Sequence, residues 1–280
     1  MSDRYRTRRF VDRAVRVACV AATGLALLPL FSVLYFVITR GASGLSWAFF
    51  TELPKPVGEP GGGMAHALLG TLELVGLAAL FGVPPGVLAG IYLSEFGDSR
   101  AARVVRFAAD VMAGIPSITV GLFVYALLVA TTRTFSAIAG GLALGLIMLP
   151  TVTRATEELL RLVPEALREA ALGLGVPRWR ATLLIVLRTA APGIVTGVLL
   201  ATARVAGETA PLLFTALNSR HWMSSLFEPT ASLPVNIYTY AVSPYEDWHR
   251  QAWAAALVLV AVVLLLNVSA RIILHRVKVR

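Results

Sequence analysis

Lysine is nearly missing from this chain: Lys55 and Lys278 are the only two among 280 residues. Neither follows a Gly-rich G-x-x-x-x-G-K-[ST] run, so the chain has no phosphate-cradling loop of its own for ATP. The single cysteine, Cys19, excludes an internal disulfide. His66, His221, His249 and His275 are widely separated and lack ligand spacing, so no metal site is expected. No nucleophile elbow or dinucleotide fingerprint occurs, and no catalytic residue is assigned. Charged residues make up only 15% of the chain. What remains is apolar.

Hydrophobic residues account for 57% of the sequence and the mean hydropathy is +0.74, too apolar for an ordinary soluble domain. They are blocked into long runs, not spread at amphipathic spacing. Crossing a hydrocarbon core of about 30 Å takes roughly 20 helical residues. Six segments qualify: 17–39, 67–93, 107–130, 135–152, 189–217 and 252–273. The first is too long for a signal peptide and lacks an A-x-A site after it, so it is expected to be a retained span. The predicted class is an all-α integral membrane protein with six transmembrane helices.

Charge sets the expected orientation. With the N-terminus inside, 19 of the 25 Lys and Arg fall on the tails and inner loops. Arg40, Lys55, Arg133, Arg220 and Arg250 fall outside, and Arg204 lies within a span. This asymmetry predicts cytoplasmic N- and C-termini. The net charge of +9 is then a topology signal and not a nucleic-acid footprint. The expected divisions are a cytoplasmic tail (1–16), a first span with its external loop (17–63), a transmembrane core (64–275) and a second tail (276–280).

Glycines four apart (Gly82, Gly86, Gly90; Gly141, Gly145; Gly193, Gly197) predict close helix packing inside the subunit. Pro84, Pro85, Pro116, Pro150, Pro192 and Pro211 mark expected kinks. The external 40–66 segment, with its prolines and Gly61–Gly63, is expected to be a loop. The 218–251 segment carries Trp222, Tyr238, Tyr240, Tyr245 and Trp248. It is expected to hold an interfacial or re-entrant helix, and offers a surface for an extracytoplasmic protein.

A polar island, PEALREAALGLGVPRWRATLLIVLR, occupies 164–188 between two apolar runs. Pro164 suits a helix start, Glu165 complements the helix dipole, and Leu167, Ala170, Ala171 and Leu174 form one apolar face. Gly175 and Pro177 end it, giving a helix of about 11 residues. Such a helix either lies on the membrane, held by Arg168, Arg178 and Arg180, or docks into a partner with Glu169 as its charge. Within the fifth span, Arg204 and Glu208 are four apart and share one helix face. They are either a locking ion pair or an anion station, Arg204 supplying donors for an oxyanion and Glu208 holding it. Glu73 is a further acid, able to meet Arg204 in one state or as a static contact, and Asp110 lies nearer a membrane boundary. Thr209, Thr202, Ser117 and Thr119 are neutral donors along a path.

Glu169-Ala170-Ala171, Gly175, Ile185 and Leu187 resemble the EAA loop of ABC importer permeases. The stretches ARVAGETAPLLFTA (203–216), GIYLSEFG (90–97), GIPSITVGLFVY (114–125) and REAALGLGVPRWR (168–180) are similar to the phosphate-permease branch of that family. Arg188 replaces the proline that usually closes the loop pattern, which affects the bend after the loop. The resemblance covers the chain from about residue 64 onward. It implies a type I ABC importer permease core with a cytoplasmic coupling helix, in a bacterial inner membrane. It also implies a homologous second permease, two ATPase subunits carrying the ATP and Mg, and an extracytoplasmic phosphate-binding protein. No cofactor is expected on this chain itself. Rival readings are import of molybdate or sulfate, an ATPase-independent carrier or channel, and a structural subunit without a pathway.

Overall fold

The computed structural model describes residues 3–57, 59 and 61–278. Pro60 and the outermost residues of the two predicted tails (1–2 and 279–280) lie outside the described residues. Every regular element among those described is helical. In chain order they are α1 (Asp3–Ala42), α2 (Trp47–Thr51), α3 (Ala65–Glu95), α4 (Arg100–Gly114), α5 (Ser117–Thr132) and α6 (Ala137–Arg161). Then come α7 (Glu165–Gly173), α8 (Arg178–Val205), α9 (Ala210–Thr215), α10 (Leu233–Ala241) and α11 (Glu246–Lys278). Five of these are long and apolar enough to cross a membrane, or six if α4 and α5 together count as one span.

Two expected spans are broken. The third is bent by 104° between α4 and α5. Pro116 sits at that bend, and its ring disfavours a helical conformation at Ile115, whose backbone is extended. The fifth span stops at Val205 and resumes as α9 with Pro211 in its first turn. By contrast, Pro84, Pro85, Pro150 and Pro192 are accommodated inside continuous helices. α1 begins at Asp3, within the stretch expected as the N-terminal tail, and α11 likewise continues past the expected span.

The centre of the bundle is the seam between α3 and α6. A Cβ on Gly82 would lie 2.8 Å from the Gly145 carbonyl oxygen, and one on Gly90 would lie 2.5 Å from Thr156 Cβ. These close approaches need small residues, since lipid offers no hydrophobic drive for helices to associate. Gly193 and Gly197 of α8 meet Leu159 and Ala155 of α6 in the same way. Leu74, Leu144, Met148, Val152, Val205 and Leu212 fill the space between these helices. The glycine rows therefore serve packing within the subunit. α1 is peripheral: it packs on α11 and keeps its apolar surface exposed, as a lipid-facing helix does.

At the end of the bundle opposite the 162–177 loop, the connecting segments fold inward. Ser46 caps α2 by accepting from Phe49 N (3.2 Å), and Phe49 is buried against Met64, Leu233 and Tyr240. The 40–66 segment is thus a pinned loop with a short helix of its own. The 218–251 segment holds the expected helix, α10, packed into the bundle: Leu233 to Asn236 are buried, and Thr71 Oγ accepts from Leu233 N (2.8 Å). The first N–H groups of α6, unpaired within their own helix, are met by the carbonyls of Thr215, Glu228 and Leu226.

Candidate functional site

Gly207, a poor helix former, and Pro211, which lacks an N–H, make the chain leave the helix after Val205. Ala206 and Gly207 form a turn: Gly207 N donates to Arg204 O (3.2 Å) and Glu208 N to Val205 O (3.1 Å). Arg204 and Glu208 consequently do not share a helix face, contrary to the i, i+4 expectation. Among the described residues, no carboxylate reaches Arg204 within 4.0 Å, so the anticipated locking ion pair is absent. Both side chains instead line one cavity of about 210 Å³. Its other walls come from the α4–α5 bend (Met112, Ala113, Ile115, Pro116, Ser117) and from Pro150 and Thr151 of α6. An arginine within a membrane span is costly unless it faces protein or water, and here it faces a cavity with its donors uncommitted.

The other predicted pathway residues are placed elsewhere. Thr209 does not line the cavity; its carbonyl starts α9 by accepting from Leu212 N and Leu213 N. Thr202 Oγ bonds its own backbone at Val198 O (2.8 Å), as span hydroxyls usually do. Glu73 lies next to Leu74, which packs on Gly140 of α6, whereas the cavity reaches Pro150 and Thr151. At 1.5 Å per residue this separates Glu73 from the cavity by roughly 15 Å. The expected static contact between Glu73 and Arg204 is therefore not present.

The loop helix α7 has nine residues, and Pro164 is its N-cap, preceding the first helical residue. Its end is a Schellman turn: Gly175 N donates to Leu172 O (2.9 Å) and Val176 N to Ala171 O (3.1 Å), with Gly175 at φ +78°. Glu169, Ala170 and Gly175 are exposed. Ala171 is buried, facing inward as α7 packs on the π-helical turn Thr182–Val186 of α8, so it is not part of the outward surface. Leu174, at 85% exposure, and Trp179 extend that outward surface with apolar area.

Two of the arginines expected at a lipid surface are engaged otherwise. Arg168 pairs with Glu95 at the end of α3 and also donates to Leu160 O of α6 (3.2 Å). Arg178 approaches the other Glu95 oxygen (3.5 Å), donates to Glu95 O (2.7 Å), and lies over the Phe96 ring. The Glu95 side chain is only 6% exposed. A carboxylate at a helix C-terminus is disfavoured by the dipole, and two guanidinium groups offset that. Glu95 belongs to the GIYLSEFG stretch, where no spacing within the chain assigns it a role. Its position at the end of a span was the legible signal. Also missed were Glu157, buried between Arg106 (2.7 Å) and Arg161 (2.8 Å), and the ion pair of Arg154 with Asp110.

A helix bundle of this length, in which Arg204 of a span faces a cavity while a clamped loop helix stands outside the spans, defines a multi-pass membrane transport subunit. Residues 86–279 match the family described as binding-protein-dependent transport system inner membrane component. The chain belongs to that family. Its relatives include the phosphate transport system permease protein PstA of Yersinia pestis, 46% identical over 97% of this chain and 92% of the relative. The PstA of Xylella fastidiosa (strain Temecula1) is 45% identical over 98% and 96%. PstA 1 of Mycobacterium tuberculosis (strain H37Rv) is 45% identical over 89% and 82%. The fold is that of a chain from the MetNI methionine ABC transporter in an inward-facing form. That comparison has a TM-score of 0.61 at 19% identity and covers 76% of this chain and 97% of the other. The predicted all-α, type I ABC importer permease fold is the one present.

Proposed function

We propose that this chain is the transmembrane permease subunit of an ATP-driven importer of inorganic phosphate. The observation that carries this reading is the cavity in which Arg204 stands without a carboxylate partner beside Glu208. Five guanidinium donors suit the oxygens of a tetrahedral oxyanion, and an anion entering a low-dielectric bundle without a cation would face a prohibitive desolvation cost. Glu208 keeps the empty cavity near neutral. The names of the PstA relatives supply the choice of phosphate over molybdate or sulfate.

The tails and the α7 loop lie on the cytoplasmic side in this account, in keeping with the arginine bias. Glu169, Ala170, Leu174 and Gly175 present the docking surface to one of two ATPase subunits, which hold ATP and Mg. Ala171 and the Glu95 clamp seat that surface on the bundle. A homologous second permease closes the path from the other side, and an extracytoplasmic phosphate-binding protein delivers the ion at the α10 end. ATP-driven movement of the ATPases displaces α7 and, through Glu95, the end of α3.

The test is a complex of this chain with its genetic partners in lipid vesicles, assayed for ATP hydrolysis stimulated by the phosphate-loaded binding protein. Phosphate stimulation, absent with molybdate or sulfate, is the expected result, and Glu169→Arg is expected to release the ATPase. Stimulation by another oxyanion alone overturns the substrate. Uptake unaffected by Glu169→Arg favours an ATPase-independent carrier.

A further inference from the structure

Beyond the Arg204 cavity, the seam between α4 and α6 continues as a ladder of charges toward the docking-loop end. On α6, Pro150 and Thr151 line the cavity and Arg154 follows one turn later. On α4, Met112 and Ala113 line it, and Asp110 stands on the same side of them. Arg154 Nη2 and Asp110 Oδ1 meet across the seam as an ion pair. Next comes a second rung, where Arg106 of α4 and Arg161 of α6 both hold Glu157 Oε1.

The two rungs differ in access. Glu157 is buried, with 4% of its side chain exposed and two guanidinium partners, so that rung is closed. Arg154 and Asp110 are 36% and 49% exposed, and among the described residues each has the other as its single ion-pair partner. An arginine held by one accessible carboxylate has spare donors, and an oxyanion presenting several oxygens can compete for them. Conduction through a membrane also favours several moderate sites over one tight site, because an ion must leave as well as enter.

We infer that Arg154 is a second oxyanion station, one helical turn beyond the Arg204 cavity on the way to the cytoplasm, with Asp110 as its counter-ion when the path is empty. This rests on the phosphate-import reading. Phosphate moves from Arg204 to Arg154 by displacing Asp110, and leaves when Asp110 returns.

The test compares Arg154→Gln with Asp110→Asn in the whole reconstituted complex, following uptake of radiolabelled inorganic phosphate and basal ATP hydrolysis. Both substitutions break the same ion pair, but only the first removes the cation. The station predicts that Arg154→Gln lowers uptake at least about tenfold, the loss of one charge-assisted contact, with basal hydrolysis kept. Asp110→Asn is then expected to lower uptake by no more than about threefold, a fraction of the same contact. Equal effects of the two variants, or a larger effect of Asp110→Asn, make the pair structural and overturn the inference. Failure of the Arg154→Gln chain alone to assemble with its ATPase does so too. Absence of phosphate uptake by the unsubstituted complex overturns the import reading itself, and the station with it.

Discussion

Replacing Glu95 by Gln removes the charge that holds the α7 loop to α3 while keeping the side-chain shape. Breaking a buried ion pair by deleting one partner costs about 3–5 kcal/mol when both groups are enclosed. Glu95 is enclosed at 6%, but Arg168 is 23% and Arg178 64% exposed, so water can reclaim much of both guanidinium groups. The exposed Arg178 arm is worth at most about 1 kcal/mol. The backbone contacts Arg178 to Glu95 O and Arg168 to Leu160 O survive the change. The net loosening is therefore roughly 2–3 kcal/mol, confined to the loop. At 1.36 kcal/mol per tenfold, loop amides that open locally should exchange roughly 30- to 150-fold faster. Hydrogen exchange on the assembled complex reads this directly over residues 165–176, with α6 amides as the internal reference. A double-mutant cycle with Arg168→Leu should show strong non-additivity. Unchanged exchange in the loop, or equal acceleration in α6, would refute the clamp.

Other expectations follow from the same geometry. Gly90→Val places side-chain atoms on Thr156, where a bare Cβ already comes within 2.5 Å, and should destabilise the α3–α6 seam by about 1–3 kcal/mol or more; a lowered thermal midpoint in detergent checks it. Gly175→Ala meets open space but a φ of +78°, so it should cost about 1–2 kcal/mol through backbone strain, read as faster exchange at the end of α7. Burial raises the Tyr240 phenol above its ordinary 10.0 despite Arg220 nearby. Its contribution to stability is then full below pH 10 and is lost as pH rises through the folded value. Phenolate absorbance should show a step above the ordinary phenol range, and Tyr240→Phe should remove that step.

The sequence made the long helices legible because a run of twenty apolar residues has few alternatives in lipid. The glycine rows were equally plain, since only small residues allow the approach seen between Gly82 and Gly145. Breaks were harder. Pro116 and Pro211 stand where a helix breaks or restarts, whereas Pro84, Pro150 and Pro192 sit inside continuous helices, and a proline alone does not say which. The separation of Arg204 from Glu208 turns on Gly207 and Pro211 acting together, which spacing along an ideal helix conceals. The burial of Ala171 comes from the tertiary contact with Thr182–Val186, which decides which side of a short amphipathic helix turns inward and which no spacing within the helix reveals. Glu95, Asp110 and the Arg106 arm of Glu157 depend on partners 44 to 83 residues away, a pairing that local pattern does not reveal; the Arg161 arm of Glu157, four residues on, is the one that local spacing offers.

Phosphate uptake by the reconstituted complex carrying Arg204→Gln tests the central claim most directly. The account predicts that uptake disappears while the ATPase remains docked and hydrolyses ATP at its basal rate. Uptake at the unsubstituted rate would make Arg204 structural and contradict the anion pathway.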